Sequence, residues 1–384
     1  MSDYLISVRP DETPCTLALV AKQARVSPMT VSRVFRNFPC VSTETRERVL
    51  AVAKTLGYRP DPQVMRLMQL VRRNRTRKIS SRLAVIRAGG LQDDVVILGR
   101  DVAKSHVMYN YVALGDIRRR ALQHGYDVDE FEMGAGTGMT PQRLREILDA
   151  RGIRGILVSV QSMTGELSQC SSSHFDYTGL AAATFGYGLN APRLHRASTN
   201  MTQGILETAA LLELRGYQRI GLAISSWVDT RADHTYSGAW LHYQQTVPLR
   251  RRIPLQLFPD NNMNEGEQIF CRWIRKYNPD LIISFDRLVP HWLRETLQLR
   301  IPDDIGIVVH DWTSGATAVD NSVNHSFSFA GIDHRRSHVA AAAVDLVATQ
   351  LQHNEHGIPE VPRQILIPPT FVDGSSIRGP FRRA

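Results

Sequence analysis

Apolar residues near the start of the chain recur at the three- and four-residue spacing of amphipathic helices. A first predicted helix follows Thr16, a good N-cap, and its inward face is formed by Leu17, Val20, Ala21 and Ala24. Ser27 and Pro28 open a second helix, a third begins near Ser42, and Gly57 is placed to cap its C-terminus. The pattern predicts a small all-α domain over residues 16–60.

From about residue 82 the pattern changes to short apolar strands that alternate with amphipathic helices. RLAVIRA (82–88) is typical of a buried strand, and helix–strand units follow it, among them RLREILDARGIRGILVSV and EQIFCRWIRKYNPDLIISF. Successive units of this kind predict α/β structure, with parallel sheets and helices on both faces. Roughly 300 residues of them exceed one sheet, so we expect two doubly wound subdomains.

Positive charge is concentrated at the N-terminal end of this 384-residue chain, whose net charge is +9. Residues 1–82 hold 16 of the 46 Lys and Arg and 6 of the 37 Asp and Glu, a net charge of +10. The remaining 30 basic and 31 acidic residues give the rest a net charge of −1. This division indicates a polyanion-binding head on a body with another task, although basic N-terminal segments also serve solubility.

The spacing of small and apolar residues in the first two helices is that of a helix-turn-helix. Ala21, a short turn, and then Val31 and Val34 allow the two helices to pack together. The second helix can then lie in the DNA major groove with its N-terminal residues towards the base edges. The spacing alone fits equally well an ordinary three-helix core with solvated charges.

A more specific pattern runs from Thr16 to Asp61. Its segments TVSRV, ETRERVL and LGYRP closely resemble the DNA-binding head of the LacI/GalR repressor family. The resemblance implies that Pro28, Met29 and Arg33 read bases. It also implies phosphate contact, or support of the recognition helix, by Thr16, Ser27, Thr30, Ser32, Asn37 and Thr45.

The chemistry of these side chains agrees with that assignment. Arg33 can donate two hydrogen bonds to guanine, and Met29 can pack on a thymine methyl group. Two residues depart from the family: Arg25 stands where a turn glycine is usual, and Arg36 stands where asparagine is common. A non-glycine residue in a left-handed turn costs on the order of 1 kcal/mol. Arg36 adds a candidate DNA contact.

Residues 61–80 correspond to the family's hinge, which forms a short helix on the operator and inserts leucines into the minor groove. Leu67 aligns with the wedge position. Apolar residues at helical spacing, suited to packing against a symmetry mate, are Val64, Leu67, Met68 and Val71. The alternative is a linker whose apolar residues cover the body.

The body resembles the effector domain of the same family through junctions such as LQHGYDV, LELRGYQRIGLA and LRIPDDIGIVVHD. That domain is similar to periplasmic sugar-binding proteins, with two doubly wound subdomains, three crossovers and a ligand between them. The resemblance implies an effector-binding and dimerisation domain over residues 81–384. Its first subdomain is expected at 81–190 plus 327–355 and its second at 191–326 plus 356–378, with residues 1–15 a disordered extension.

Spacing from neighbouring glycines places several of the family's ligand-contacting positions on this chain. The candidate effector-binding residues are His106, Tyr109, Asn200, Arg231, Asp286 and Asp311. The segment from His106 to Tyr109 departs from the family's Asn-Pro-Phe-Phe loop. Asp311 and Arg231 suit a sugar, because a carboxylate accepts from hydroxyl groups and a guanidinium donates. Each candidate can instead cap a helix or join a salt bridge between subdomains.

Two other functional classes fit the sequence less well. For an enzyme on an α/β fold, the chain lacks a P-loop, G-x-S-x-G, G-x-G-x-x-G at a strand–helix junction and metal-spaced histidines. For a solute-binding protein, the basic head and an N-terminus without a signal-peptide pattern argue against the assignment. Four scattered cysteines predict neither disulfide nor zinc, and we expect no cofactor.

We therefore expect a cytoplasmic, non-enzymatic transcriptional repressor that binds a near-palindromic operator as a homodimer. A small-molecule effector, expected to be a sugar, would bind in the inter-subdomain cleft and change whether the hinge helices form. No apolar run is long enough to span a bilayer, so we expect no membrane contact.

Overall fold

The computed structural model describes residues 16–35, 38, 41–58, 81–88, 114–133, 138–160, 175–189, 191–259, 263–284, 288–312 and 328–379. They form a small helical domain and an α/β body with two six-stranded sheets. The fold class predicted from the hydrophobic pattern is confirmed. Within the described ranges, no helix combines the length and apolar character that a membrane span requires.

The N-terminal domain contains three helices, α1 (Leu17–Gln23), α2 (Pro28–Phe35) and α3 (Thr43–Thr55). Their shared core is formed by Val20, Ala21, Ala24, Val31, Val34, Val49 and Ala53. Thr16 and Ser42 cap α1 and α3 through their side-chain oxygens. Gly57 ends α3 at a φ of +66°, the left-handed conformation that glycine adopts without strain.

The first sheet of the body is wholly parallel, in the order β11-β5-β4-β3-β1-β2. Its strands are β1 (Ser81–Ala88), β2 (Tyr126–Met133), β3 (Gly155–Val160), β4 (Ala181–Phe185), β5 (His195–Thr199) and β11 (Gln364–Ile367). Its helices are α4 (Leu114–Gln123), α5 (Pro141–Ala150) and α11 (Arg336–His353). Helices α4 and α11 cover one face and α5 the other, so the sheet is buried on both sides.

The second sheet has the order β12-β10-β9-β8-β6-β7, and only β12 runs antiparallel to its neighbour. Its strands are β6 (Ile220–Ser225), β7 (Gln256–Phe258), β8 (Leu281–Ser284), β9 (Gly306–Trp312), β10 (Ala330–Asp333) and β12 (Thr370–Val372). Its helices are α6 (Met201–Leu214), α7 (Ser226–Arg231), α8 (Thr235–Thr246), α9 (Met263–Tyr277) and α10 (Leu288–His291). Two shorter turns are a 3₁₀ turn at Leu249–Arg251 and a π turn at Trp292–Thr296.

The chain passes between the sheets three times, always at the carboxyl end of a strand. β5 leads into α6, which packs against α8 and β12 of the second sheet. β10 leads into α11 on the first sheet, and β11 leads into β12 of the second. Because these connections leave the strands at their carboxyl ends, the carboxyl edges of the two sheets face each other.

The subdomain boundaries expected from sequence need correction. β5 and β11 lie in the first sheet although they fall in the ranges expected for the second subdomain, and β10 lies in the second sheet although it falls in a range expected for the first. The reason is that each crossover follows a strand, whereas the expected boundaries were set in the loops that precede these strands.

Two glycines of the second sheet region provide a matched test of this packing. An added Cβ at Gly221 in β6 would lie 2.4 Å from the Cη2 atom of the buried Trp273 ring, whereas at Gly238 in α8 it would meet nothing within 4 Å. Gly221→Ala should therefore lower the free energy of unfolding by about 1–3 kcal/mol. Gly238→Ala should raise it by about 0.5–1 kcal/mol, because alanine is the better helix former. Urea denaturation followed by tryptophan fluorescence measures both, and equal effects at the two positions would contradict the packing described.

Candidate functional site

The turn between α1 and α2 fixes the geometry of the helix pair. Arg25 has a φ of +54°, so it occupies the left-handed conformation that a family glycine would favour. The amide of Val26 donates to the carbonyl oxygen of Ala21 over 3.0 Å and closes the turn. Arg25 therefore accepts a conformational cost on the order of 1 kcal/mol that a glycine would not incur.

Helix α2 presents a continuous solvent-facing surface. Pro28, Met29 and Arg33 are exposed, and Met29 retains 56% of its accessible surface. Val31 and Val34, on the opposite side, are buried in the domain core. The Arg33 guanidinium makes no hydrogen bond or salt bridge within the described part of the chain. The three residues predicted to read bases thus share the side of α2 that an incoming duplex can reach.

The hydroxyl residues of the predicted set act within the domain. Ser27 Oγ caps α2 by accepting from the Thr30 amide over 3.1 Å, and it lies 2.9 Å from Thr30 Oγ1. Thr16 Oγ1 accepts from the Leu19 amide over 3.3 Å. Thr45 Oγ1 accepts from Ser42 Oγ over 2.9 Å at the start of α3. These contacts fit residues that support the recognition helix.

Of the remaining predicted DNA-binding residues, the structure describes only Ser32. Ser32 is half-buried on α2. Arg36, Asn37 and Leu67 lie outside the described residues, as does the hinge at 61–80.

In the body, the three crossovers come together where the carboxyl edges of the sheets meet. Thr199 Oγ1 donates to the carbonyl oxygen of His334 over 2.9 Å. The Asn200 amide donates to the Ile367 carbonyl over 2.8 Å, and Tyr187 Oη donates to the Thr199 carbonyl over 3.1 Å. Each crossover therefore contacts another one, so a displacement of one sheet against the other strains all three.

A buried ion pair lies at this joint. Asp311, near the end of β9 in the second sheet, accepts a hydrogen bond from Arg336, the first residue of α11 on the first sheet. Asp311 is 1% exposed, and the Arg336 side chain is 20% exposed. The Nδ1 atom of the fully buried His334 lies 3.7 Å from Asp311 Oδ1. Charge complementarity thus joins the two sheets beside the crossovers.

Two histidines extend the pair into the second sheet. His334 Nε2 lies 3.2 Å from His310 Nδ1, and the His310 ring meets Tyr236 edge-on at 4.8 Å. Burial lowers the pKa of His310 well below its ordinary value, and the charge of His334 lowers it further. Burial also lowers the pKa of His334, although Asp311 opposes the shift. Both pKa shifts favour the neutral rings at pH 7, and the hydrogen bond between the two nitrogens requires at least one ring to be neutral.

The structure places three of the six predicted effector residues at or near this joint, in roles the sequence had left open. Asn200 caps α6, with Oδ1 accepting from the Gln203 amide over 3.1 Å. Asp311 forms the ion pair with Arg336. Arg231, at the end of α7, lies over the ring of Trp227 at 4.9 Å. His106, Tyr109 and Asp286 lie outside the described residues.

Sequence reasoning missed the partners of these residues. Arg336, His334 and His310 come from segments that show no motif of their own. Asp229 was also missed: it is buried, accepts from the Ser237 amide over 2.9 Å and lies 3.1 Å from His234 Nδ1, so it holds the turn after Arg231. The available signal was a run of polar residues directly after a buried strand, as in HDW and IDHRR. In the described ranges, no cluster of three or more His, Cys, Asp or Glu side chains is suited to a metal ion.

The buried histidines predict a pH dependence of stability. Because their folded-state pKa values are below 6.5, the unfolded chain binds more protons as the pH falls through 6.5. The free energy of unfolding should therefore fall between pH 7.5 and 5.5, by up to about 1.4 kcal/mol per histidine for each pH unit below 6.5. Urea midpoints across this range measure the slope. His310→Gln should flatten it and His242→Gln, at an exposed position, should not; an unchanged slope in His310→Gln would contradict the assignment.

Comparison with known proteins identifies the N-terminal domain. Residues 16–61 match the family model of bacterial regulatory proteins of the lacI family. This match covers the three helices and the turn described above. No curated protein is significantly similar in sequence.

Solved structures share the fold of most of the chain. A lac repressor dimer bound to operator and the anti-inducer ONPF is 19% identical, with a TM-score of 0.52 over 95% of this chain and 99% of that one. A regulatory protein of the LacI family from Chloroflexus aggregans is 13% identical, with a TM-score of 0.51 over 77% of this chain and 98% of that one. The N-terminal domain at residues 16–61 is therefore of the lacI family of bacterial regulatory proteins, and the body shares the fold of these solved structures.

Proposed function

We propose that this transcriptional regulator is a cytoplasmic repressor that binds a near-palindromic operator as a homodimer, with a small molecule between its sheets controlling binding. The observation that carries the proposal is the exposed face of α2, where Pro28, Met29 and Arg33 stand on a helix-turn-helix of the family's kind. The likeness to a lac repressor dimer bound to operator supports the dimeric arrangement. The proposal assigns no catalytic activity to the chain.

In this proposal, two side chains of α2 recognise the bases of the operator. Arg33 can donate two parallel hydrogen bonds to O6 and N7 of guanine, and Met29 can contact a thymine methyl group. Phosphate contacts position the domain without reading sequence. We assign phosphate contact or support of the recognition helix to Thr16, Ser27, Thr30, Ser32, Asn37 and Thr45, and a phosphate or base contact to Arg36. A homodimer places two such helices on half-sites related by its two-fold axis.

The hinge at 61–80 would couple the two domains. Its apolar residues would pack against those of the partner subunit, and Leu67 would wedge into the minor groove at the centre of the site. The body begins at Ser81, the first residue of β1, so a change in the body reaches the hinge directly.

The effector site lies, in this proposal, where the carboxyl edges of the sheets meet. Ligands of open α/β sheets bind at the carboxyl ends of the strands, and the three crossovers converge here. Asn200, Arg231 and Asp311, with His106, Tyr109 and Asp286, would contact a carbohydrate through donors and acceptors of both signs. A ligand that binds one arrangement of the sheets more tightly shifts the chain towards that arrangement.

The effector can be identified by a thermal-shift screen of the full chain against sugars and nucleosides. A ligand that binds only the folded chain stabilises it by about 2.7 kcal/mol at a concentration one hundred times its Kd. The nucleosides test a ligand recognised through its base, and a nucleoside hit without a free-sugar hit would replace the assignment of a simple sugar.

Operator reading by Arg33 is tested with a matched pair of variants. Arg33→Ala should reduce the ratio of affinities for a selected operator duplex and a scrambled duplex by about 5- to 150-fold, the equivalent of 1–3 kcal/mol for one bidentate base contact. Lys54→Ala removes another exposed cation, in the last turn of α3, and should leave the ratio unchanged. Fluorescence anisotropy at fixed salt measures both. An unchanged ratio in Arg33→Ala would overturn the recognition-helix assignment.

A further inference from the structure

The edge of the second sheet that points away from the first carries a concentration of basic residues. Strands β6, β8 and β9 begin at this edge, and helices α8 and α9 end there. We call the following set the basic pole: Arg219, Arg250, Arg251, Arg252, Arg272, Arg275 and Lys276.

One arginine brings the segments of the basic pole together. The Arg219 guanidinium donates to the carbonyl oxygen of Arg250 over 2.8 Å and to that of Asn278 over 3.1 Å, and it also bonds the carbonyl of Tyr277. The segments before β6, after α8 and at the end of α9 therefore meet within the reach of one side chain. The segments that carry the seven cations therefore lie close together, although the outermost two cations are 57 positions apart in the chain.

The basic pole is not neutralised by the protein. Within the described residues, none of its seven cations forms a salt bridge. The carboxylates near this edge have other partners. Asp280 accepts from the amides of Gln218 and Arg219, and Glu213, near the end of α6, accepts from Tyr243 Oη. Asp303 and Asp304, before β9, pair with Arg300. Elsewhere on the body the arginines are commonly paired, as in Arg82–Asp129, Arg120–Asp345 and Arg145–Asp149.

The fold itself accounts for only part of this charge. Arg219 caps the end of α9, and Arg252 bonds the carbonyl of Val247 after α8 over 2.8 Å. Arg275 and Lys276 also suit the negative end of the α9 dipole. Arg250 is exposed and its side chain caps no helix among the described residues. The buried Nε atom of Arg251 has no hydrogen-bond acceptor in the part of the chain that the structure describes. The surplus points to a ligand of negative charge.

We propose that the basic pole is a second DNA-contacting surface, which holds the phosphate backbone of a duplex other than the segment bound by the N-terminal domain. Six of its seven cations are arginines, whose planar fork binds phosphate with two hydrogen bonds. The chain enters the body at Ser81, on the amino edge of the first sheet. Because the carboxyl edges of the sheets face each other, the basic pole lies at the opposite end of the body.

Duplex DNA is the occupant that the observations favour over an acidic protein. The inference rests on the proposed function for the first duplex, since DNA held by the N-terminal domain raises the local concentration of further duplex near the body. A few phosphate contacts then suffice, because the second contact is made by a tethered molecule. The consequence is a regulator able to bridge or loop DNA without a second helix-turn-helix.

The test places a benzophenone photocrosslinker at Leu249, which is 80% exposed beside Arg250, in the full-length chain. The probe is a labelled duplex of about 30 base pairs and arbitrary sequence at low salt. We expect crosslinking from this position and none from the same group at Leu122, which is 61% exposed on the first sheet's α4.

The matched charge variants decide whether the basic pole carries the contact. Changing Arg250, Arg272, Arg275 and Lys276 to Gln should lower the crosslinking yield at least about tenfold, and should reduce the slope of log K against log salt by roughly 3 to 4, at about 0.9 for each phosphate. The control changes Arg118, Arg119, Arg143 and Arg151 to Gln, four exposed cations of the first subdomain region, and should leave both unchanged.

Three results would overturn the proposal: no crosslink from position 249, equal yield from the two charge variants, or binding of polyglutamate at the basic pole without crosslinking of duplex. The last would make this surface a docking site for an acidic protein. None of these readouts depends on operator discrimination, so failure here is distinct from failure of the proposed function.

Discussion

The buried ion pair between Asp311 and Arg336 is the contact on which the arrangement of the body depends. It joins β9 of one sheet to α11 of the other, beside the three points where the chain crosses between them. Removing one partner of such a pair leaves an uncompensated buried charge, at a cost of about 3–5 kcal/mol. The covalent crossovers keep the sheets together, and the ion pair restricts how they are oriented.

This joint explains how a small molecule could control a distant DNA-binding domain. In the proposed mechanism, a ligand with its own hydroxyl groups would compete for Asp311 and Arg336, or add to their network, and so would bind each arrangement of the sheets with a different affinity. The neutral pair of His310 and His334 keeps the surroundings of Asp311 free of additional positive charge. In the proposed mechanism, sheet orientation would be transmitted to the hinge at 61–80 through β1, which begins at Ser81.

The helix-turn-helix could be predicted from the sequence almost to the residue, because its determinants are local. Ser42 and Gly57 cap and end α3 as predicted, and Arg25 adopts the left-handed turn expected of the position it occupies. The strand at 82–88 and the alternation of helices and strands were predicted for the same reason, since hydrophobic periodicity reports on neighbouring residues.

The joint between the sheets could not be predicted in this way, because it is made by residues far apart in sequence. The pairing of Asp311 with Arg336, and the hydrogen bond from Thr199 to His334, depend on the crossover topology rather than on any local pattern. The same topology placed β5, β10 and β11 in sheets other than those expected. The same topology brings together the segments of the basic pole. The net charge of −1 over residues 83–384 gives no sign of this local excess of positive charge.

The central claim, sequence-specific DNA binding by a two-fold symmetric regulator, is tested most directly by selection from a random duplex library with the full-length chain. The account predicts enrichment of one near-palindromic site that the chain binds at least about 10³-fold more tightly than unrelated duplex at physiological salt. Recovery of no common site, with equal affinity for every duplex, would contradict it.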